Sequence, residues 1–217
     1  METGEVETIE LHPNDGWLDN ILPKGEDALY SMTLDTPREL SIVVSRNDDG
    51  SARLCFHSPV SFFILGRRLM LRLNDLSKAT FTCSNILSRG VFSLNIMPRR
   101  FKGGLSIFAV RNDRETRFPE RLGLETAKAA TVDVPALNQA FMCMECDEAS
   151  VVETDFKRVN ISASVRRIYA DESCVQEYNY MFSPDGYLKT LQCVLGGPLP
   201  ELGFTNNGAY IYLDKNT

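Results

Sequence analysis

Apolar positions recur along this chain mostly with a period of two. Residues 40–46 (LSIVVSR) are rich in β-branched side chains and predict a strand. They run into Asn47-Asp48-Asp49-Gly50, whose Asp-Gly pair favours a tight hairpin turn, and 51–56 predict the returning strand. Pro59 has no N–H to give to a ladder, so HSPVSFF predicts a loop or a strand exit. Residues 69–73 predict a short strand. Asn74, Asp75 or Ser77 can then cap a helix running to about Ser88, with Gly90 as its left-handed terminator. Phe81, Ile86 and Leu87 are the expected buried face of that helix. From 91 to 97, Val91, Ser93 and Asn95 alternate with Phe92, Leu94 and Ile96, which predicts a half-buried strand that Pro98 ends.

Beyond Pro98 the pattern is irregular as far as Ala130, and predicts a variable insertion at about 99–130 with one or two short helices. Residues 135–140 are a brief connector. Residues 141–147 and 156–169 predict strands, the second carrying Val159, Ile161, Ala163 and Val165 on one face and Asn160, Ser162 and Ser164 on the other. Ser183-Pro184-Asp185-Gly186 predicts a turn and 209–213 a last short strand. Residues 1–30 carry few periodic apolar positions. They predict a peripheral arm, so that 1–35 is the arm and 36–217 the domain. Many short strands, hairpin turns and few long helices predict a mainly β fold, a small antiparallel barrel with accessory helices.

Composition narrows the class. In 217 residues, 43% are hydrophobic and 24% charged, as in an ordinary soluble domain. No apolar run approaches the length of a membrane span, and the acidic N-terminal segment has neither a signal-like apolar core nor an Arg-rich character, so a cytoplasmic location is expected. A net charge of −6 argues against a nucleic-acid partner. Basic residues nevertheless gather between Arg67 and Lys102: Arg68, Arg72, Lys78, Arg89, Arg99 and Arg100 lie between them. They read either as a solvated rim around acidic neighbours or as a local site for a small phosphorylated ligand.

Candidate chemistry is sparse. The six cysteines are expected to be reduced thiols. Cys143 and Cys146 form a C-x-x-C in a segment that alternates as a strand, which places the two thiols on opposite faces, and no second ligand pair stands at zinc-site spacing. His12 and His57 are the two histidines. Both are expected to be solvated, and no G-x-S-x-G elbow accompanies them, so a hydrolase triad is not indicated. Neither a P-loop nor a G-x-G-x-x-G segment is present. The helix opening at Ser77 is the remaining feature. Its N-terminal N–H groups attract anions, Lys78 adds a full charge, and Ser77 and Thr80 offer hydroxyls. An ordinary capped amphipathic helix has the same appearance.

The segments SIVVSRNDDG, PVSFF, SKATFTCSNIL and GVFSLNI stand in an order that resembles the flavin reductase-like family, a flavoredoxin-related group. VDVPALNQAFMCMEC, VNISASVRRIYADE and GAYIYL continue the resemblance, which covers about 36–213. It implies an antiparallel Greek-key split β-barrel that binds FMN near the interface of a homodimer. Ser61 and Phe62 would then lie along the isoalloxazine or ribityl chain, and Ser77, Lys78 and Thr80 would hold the phosphate. Asn95 would stand behind the site, Asn85 would support helix packing, and Arg99 or Arg100 would reach a phosphate. The implied activity is that of an NAD(P)H-dependent oxidoreductase, with NADH or NADPH as donor and a flavin, oxygen or a redox protein as acceptor. A flavin-binding electron carrier without a nicotinamide site, or a non-enzymatic barrel, are the alternatives. The sequence departs from many relatives after the first turn. Where they have Gly-x-x-Asn, with the asparagine near the flavin, this chain has Gly50-Ser51-Ala52-Arg53.

Overall fold

The structure is a computed structural model describing residues 8–11, 30–34, 40–57, 60–65, 68–110, 115–116, 119–171, 202–205 and 208–211. For 8–11, 30–34, 62–65, 99, 107–110, 115, 170–171, 202–205 and 208–211 it describes the backbone alone. Thus His12, Pro59, the 183–186 turn and most of the expected 1–35 arm lie outside the described residues.

Strands β1 (Thr8–Leu11) and β2 (Tyr30–Leu34) come from the N-terminal segment. The hairpin β3 (Ser41–Arg46) and β4 (Ala52–Phe56) turns at Asn47–Gly50 as its sequence requires. Gly50 has φ +86° and its N–H donates to the Asn47 carbonyl at 3.0 Å, a left-handed geometry that glycine adopts without a Cβ clash. A second hairpin joins β5 (Val60–Leu65) to β6 (Arg68–Ser77). Helix α1 (Phe81–Arg89) follows, then β7 (Phe92–Ile96).

The 99–130 segment holds helix α2 (Lys102–Val110) and short strands β8 (Glu115–Thr116) and β9 (Thr126–Lys128). It is woven into the fold, because β8 pairs with β4, and β9 pairs with β10 (Pro135–Leu137). Two long strands, β11 (Met142–Thr154) and β12 (Arg158–Asp171), form a long hairpin. Strands β13 (Leu202–Thr205) and β14 (Gly208–Ile211) form a separate hairpin, so the expected last strand is present from 208 to 211.

Among the described residues all pairings are antiparallel. The main sheet has the order β2-β5-β6-β12-β11-β7-β3-β4-β8, with β1 also on β12. The β11–β12 hairpin is thus inserted between β6 and β7, and the curled sheet forms a split barrel. Phe56, Phe92, Leu71, Leu73, Leu94 and Ile161 are fully buried in its core. Two polar positions of β12 are buried too, Ser162 at 4% and Ser164 at 0% exposed, so the middle of this central strand is covered on both faces, while Asn160 is half-buried.

Four expectations change. VSFFIL is a strand rather than a loop, since Pro59 precedes the ladder instead of interrupting it. β6 continues to Ser77 by way of a bulge, where Asp75 takes φ +54° and its N–H donates to the Asn160 Oδ1 at 2.7 Å. The helix therefore starts later, capped by Thr80, and the later start rotates its faces. Thr82, Cys83 and Ile86 are buried, while Phe81 and Leu87 are 63% and 45% exposed. His57 is 3% exposed rather than solvated, because the β4 ladder carries on to it and its N–H donates to the Ser41 carbonyl at 3.0 Å.

Candidate functional site

The turn from β6 into α1 is built from Ser77 to Thr80. Thr80 is extended (φ −85°, ψ 141°), and its Oγ1 accepts from the Cys83 N–H at 3.2 Å, the standard N-cap bond. The same hydroxyl donates to the Ser77 carbonyl at 2.7 Å, so Thr80 shapes the turn with both its hydrogen-bonding capacities. At the other end, Gly90 (φ +70°) closes the helix with its N–H on the Ile86 carbonyl at 2.7 Å. The first turn of α1 carries no acidic residue, which leaves the positive end of its dipole uncompensated by side chains of its own.

Lys78 precedes that end and is fixed by the tip of the β11–β12 hairpin. Its N–H donates to the Lys157 carbonyl at 3.0 Å and its Nζ donates to the Asp155 carbonyl. The Asp155 carboxylate turns instead onto the N–H groups of Arg158 (2.5 Å) and Lys157 (2.7 Å). Those two bonds, Arg158 first, hold its pKa below the ordinary carboxylate value, with help from the charges of Lys78 and Arg158. Around the Ser77–Thr80 turn the donor set is thus an ammonium, a helix N-terminus and the Ser77 hydroxyl, which has no hydrogen-bond partner among the described residues. The set fits an oxyanion.

Ser61 on β5 accepts from the Asn74 amide of β6 at 2.8 Å and is half-buried. It pairs with Arg72, which puts it about 16 Å along the strand from Ser77 at the usual rise per residue. Phe62 pairs with Met32 and Leu71 through its backbone, and its side chain lies outside the described residues. Ser61, Ser77, Lys78 and Thr80 are therefore on one hairpin and its exit turn. Asn95 is elsewhere. It is fully buried, with Nδ2 donating to the Ser93 hydroxyl (2.9 Å) and Oδ1 accepting from the Leu137 N–H (2.9 Å), so its amide binds β10 to β7. Asn85 supports packing as expected, donating to Ser45 and Asn47 of the β3–β4 hairpin at 3.2 and 3.1 Å.

The basic cluster divides. Arg68 pairs with Glu148 at 2.6 Å and Arg89 with Asp48 at 2.9 Å, exposed pairs of the solvated-rim kind. Arg100 is exposed over the ring of its neighbour Phe101, and the Arg99 side chain lies outside the described residues. Lys78 is the member that stands at the helix head.

Three features were not read from the sequence. Arg53, three residues after Gly50, lies over the Phe81 ring with 4.7 Å to its centroid. The hairpin tip Asp155–Arg158 reaches Lys78 only because a long hairpin pairs with β6, a relation that no local spacing encodes. Glu145, 1% exposed, accepts from the Thr131 N–H and hydroxyl (both 2.6 Å), the Ala130 N–H (3.1 Å) and the Arg167 guanidinium (2.8 Å). Burial pushes its pKa up, but the bonds from Thr131, Ala130 and Arg167 outweigh this and bring it below the ordinary value. A separate cavity of about 380 Å³ lies between the β3–β4 turn and β9–β10, lined by Arg46, Gly50, Lys128 and Asp133 among others; Arg46 and Asp133 form an ion pair there.

No protein-family model matches the sequence, and no curated protein matches it. Solved structures do match in fold. The flavoredoxin of Desulfovibrio vulgaris (Miyazaki F) is 22% identical, with a TM-score of 0.53 over 70% of this chain and 78% of that one. An FMN-binding protein of Thermus thermophilus with bound p-hydroxybenzaldehyde is 17% identical, with a TM-score of 0.51 over 80% and 81%. A Shewanella frigidimarina protein with a split barrel domain is 13% identical, with a TM-score of 0.51 over 76% and 85%. At these identities the likeness establishes the split-barrel fold.

Proposed function

We propose that this split barrel is a flavin-binding oxidoreductase that takes FMN at the head of α1 and receives hydride from NADH or NADPH. The observation that carries the reading is the oxyanion-fitting donor set at Ser77–Thr80, in a fold shared with an FMN-binding protein and a flavoredoxin. Lys78 and the helix N-terminus hold the phosphate, the Ser77 hydroxyl donates to it, and Thr80 keeps the turn in shape. Ser61, oriented by Asn74, lies along the ligand toward the ring. Phe62 is assigned to the same stretch by the resemblance. Asn95 has a structural part, holding β10 in place behind the sheet.

When bound, the isoalloxazine supplies the hydride chemistry; the protein orients it and limits water access. A catalytic acid or base is not required of the chain. The final acceptor in this reading is a flavin, oxygen or a redox protein. The protein works as a cytoplasmic homodimer, for which Val151, Val152 and Phe156 of the β11–β12 hairpin offer exposed apolar surface. No helix among the described residues is long and apolar enough to cross a membrane.

The test is reduction of the FMN-loaded protein by NADH and by NADPH, followed by stopped-flow absorbance. Bleaching of the flavin bands by either nucleotide is expected. A second reading, an electron carrier with no nicotinamide site, is favoured by the likeness to flavoredoxin and predicts a yellow protein that neither nucleotide bleaches. A barrel without cofactor, the reading that Arg53 in place of asparagine would favour, predicts a colourless protein that FMN does not change.

A further inference from the structure

Arg46 ends β3 with its side chain on the face away from α1. Ser45 and Asn47, on either side of it, both accept from Asn85 of that helix, and successive residues of a strand point to opposite faces. The guanidinium passes Gly50, with Nη2 3.7 Å from where a Cβ of that glycine would stand, and pairs with Asp133 beyond β9. Between the β3–β4 turn and the β9–β10 hairpin lies the cavity of about 380 Å³, at the small end of the usual range for ligand pockets.

The charges that line this cavity do not cancel. Asp133 neutralises Arg46, in a pair whose carboxylate side chain is 68% exposed. Lys128 lines the cavity as well, and no hydrogen bond or ion pair holds its ammonium among the described residues. Pro135 stands directly opposite Lys128 in the β9–β10 register, which sets the pyrrolidine ring and the lysine stem side by side on one face. Ala127 and Val134 add apolar surface. One uncompensated cation beside an apolar wall complements a small molecule with an anionic head and an apolar body. We infer that this cavity is a second ligand site, apart from the head of α1, and that it takes a small monocarboxylate with a single ring. The carboxylate pairs with Lys128 and the ring lies against Pro135. Arg46 is the second donor, shared with Asp133, because an exposed ion pair is weak enough to yield one of its N–H groups.

Benzoate and its neutral counterpart benzamide, added to the nitrogen-15-labelled full chain at low ionic strength and followed by amide shifts, test this. Benzoate is expected to give saturable shifts at Gly50, Ala127, Lys128 and Val134, and benzamide to bind about tenfold more weakly, having lost a charge-assisted contact. Lys128 is exposed, so Lys128→Met leaves the fold intact. That variant should weaken benzoate by about tenfold and leave benzamide within about twofold. Arg100→Met removes the same charge from outside the cavity and should leave both affinities unchanged. Equal affinities for benzoate and benzamide, equal weakening in the two variants, an unchanged benzoate affinity in Lys128→Met, or no saturable shift at the four amides would each overturn the inference. None of these outcomes removes the flavin reading.

Discussion

The backbone N–H of Lys78 donates to the carbonyl of Lys157 at 3.0 Å, tying the exit turn of β6 to the tip of a hairpin formed far along the chain. Because the bond is made by the backbone, Lys78→Ala keeps it, and the variant should melt within about 1 °C of the wild type, as surface substitutions usually do. Asp155→Ala removes the acceptor that organises the hairpin tip. Hydrogen exchange should then become faster at the Lys78, Lys157 and Arg158 amides while the β11–β12 core amides keep their protection. Unchanged exchange at those three amides would contradict the tie.

Glu145 is the buried charged residue among the described residues and Arg167 its counter-ion, the guanidinium itself largely covered. Removing one partner of a buried pair leaves the other uncompensated, so Glu145→Ala should cost about 3–5 kcal/mol in denaturant unfolding. The pH dependence has a definite sign. The folded carboxyl has a lowered pKa, so its contribution is present in full above the ordinary value of 4.5 and is lost as pH falls through the lower folded value. Wild-type stability should therefore drop on acidification below about pH 4.5 more steeply than that of Glu145→Gln.

The C-x-x-C thiols are 6% and 0% exposed. Burial, reinforced by Glu145 and opposed by Arg167 and a Ser93 hydrogen bond, pushes Cys143 up to about 12, and burial raises Cys146 as well. Thiolate is the reactive form, so iodoacetamide at pH 8 should leave both unmodified in the native protein and label both after denaturation, as read by peptide mass mapping. Rapid native labelling of either would show that the barrel opens there.

Thr80 caps α1, and Thr80→Ala should destabilise the protein by about 1 kcal/mol, a fall in Tm of about 2–4 °C for a chain of this size. Thr80→Ser, which keeps the hydroxyl, should recover most of it. A calorimetric scan of the two variants decides the point.

Local chemistry made part of this fold legible. Asp49-Gly50 between β-branched runs announced the β3–β4 hairpin, Gly90 announced the end of α1, and the alternation in 91–97 announced β7. What escaped was set by tertiary context. Thr80 rather than Asn74, Asp75 or Ser77 became the cap because β12 draws β6 onward through the Asp75 bulge. The strand after Pro59 was hidden by that proline. At the candidate site, Ser77, Lys78 and Thr80 were legible as a contiguous motif. Asn74 as the partner of Ser61, the hairpin tip on Lys78 and the Arg53–Phe81 stack arise from strand register and have no spacing signal. Asn95 was legible as a polar position of β7, but β7 is buried on both faces rather than half-buried, and neither that burial nor the partner of Asn95, the Leu137 N–H, was legible.

In the proposed function a flavin phosphate sits at the head of α1. Fluorescence titration of the flavin-stripped protein with FMN tests it most directly, with Lys78→Ala alongside. Saturable quenching is expected, one FMN per chain, with affinity about tenfold weaker in Lys78→Ala through loss of a charge-assisted phosphate contact. Absence of saturable quenching in the wild type, or identical curves for the two proteins, would contradict it.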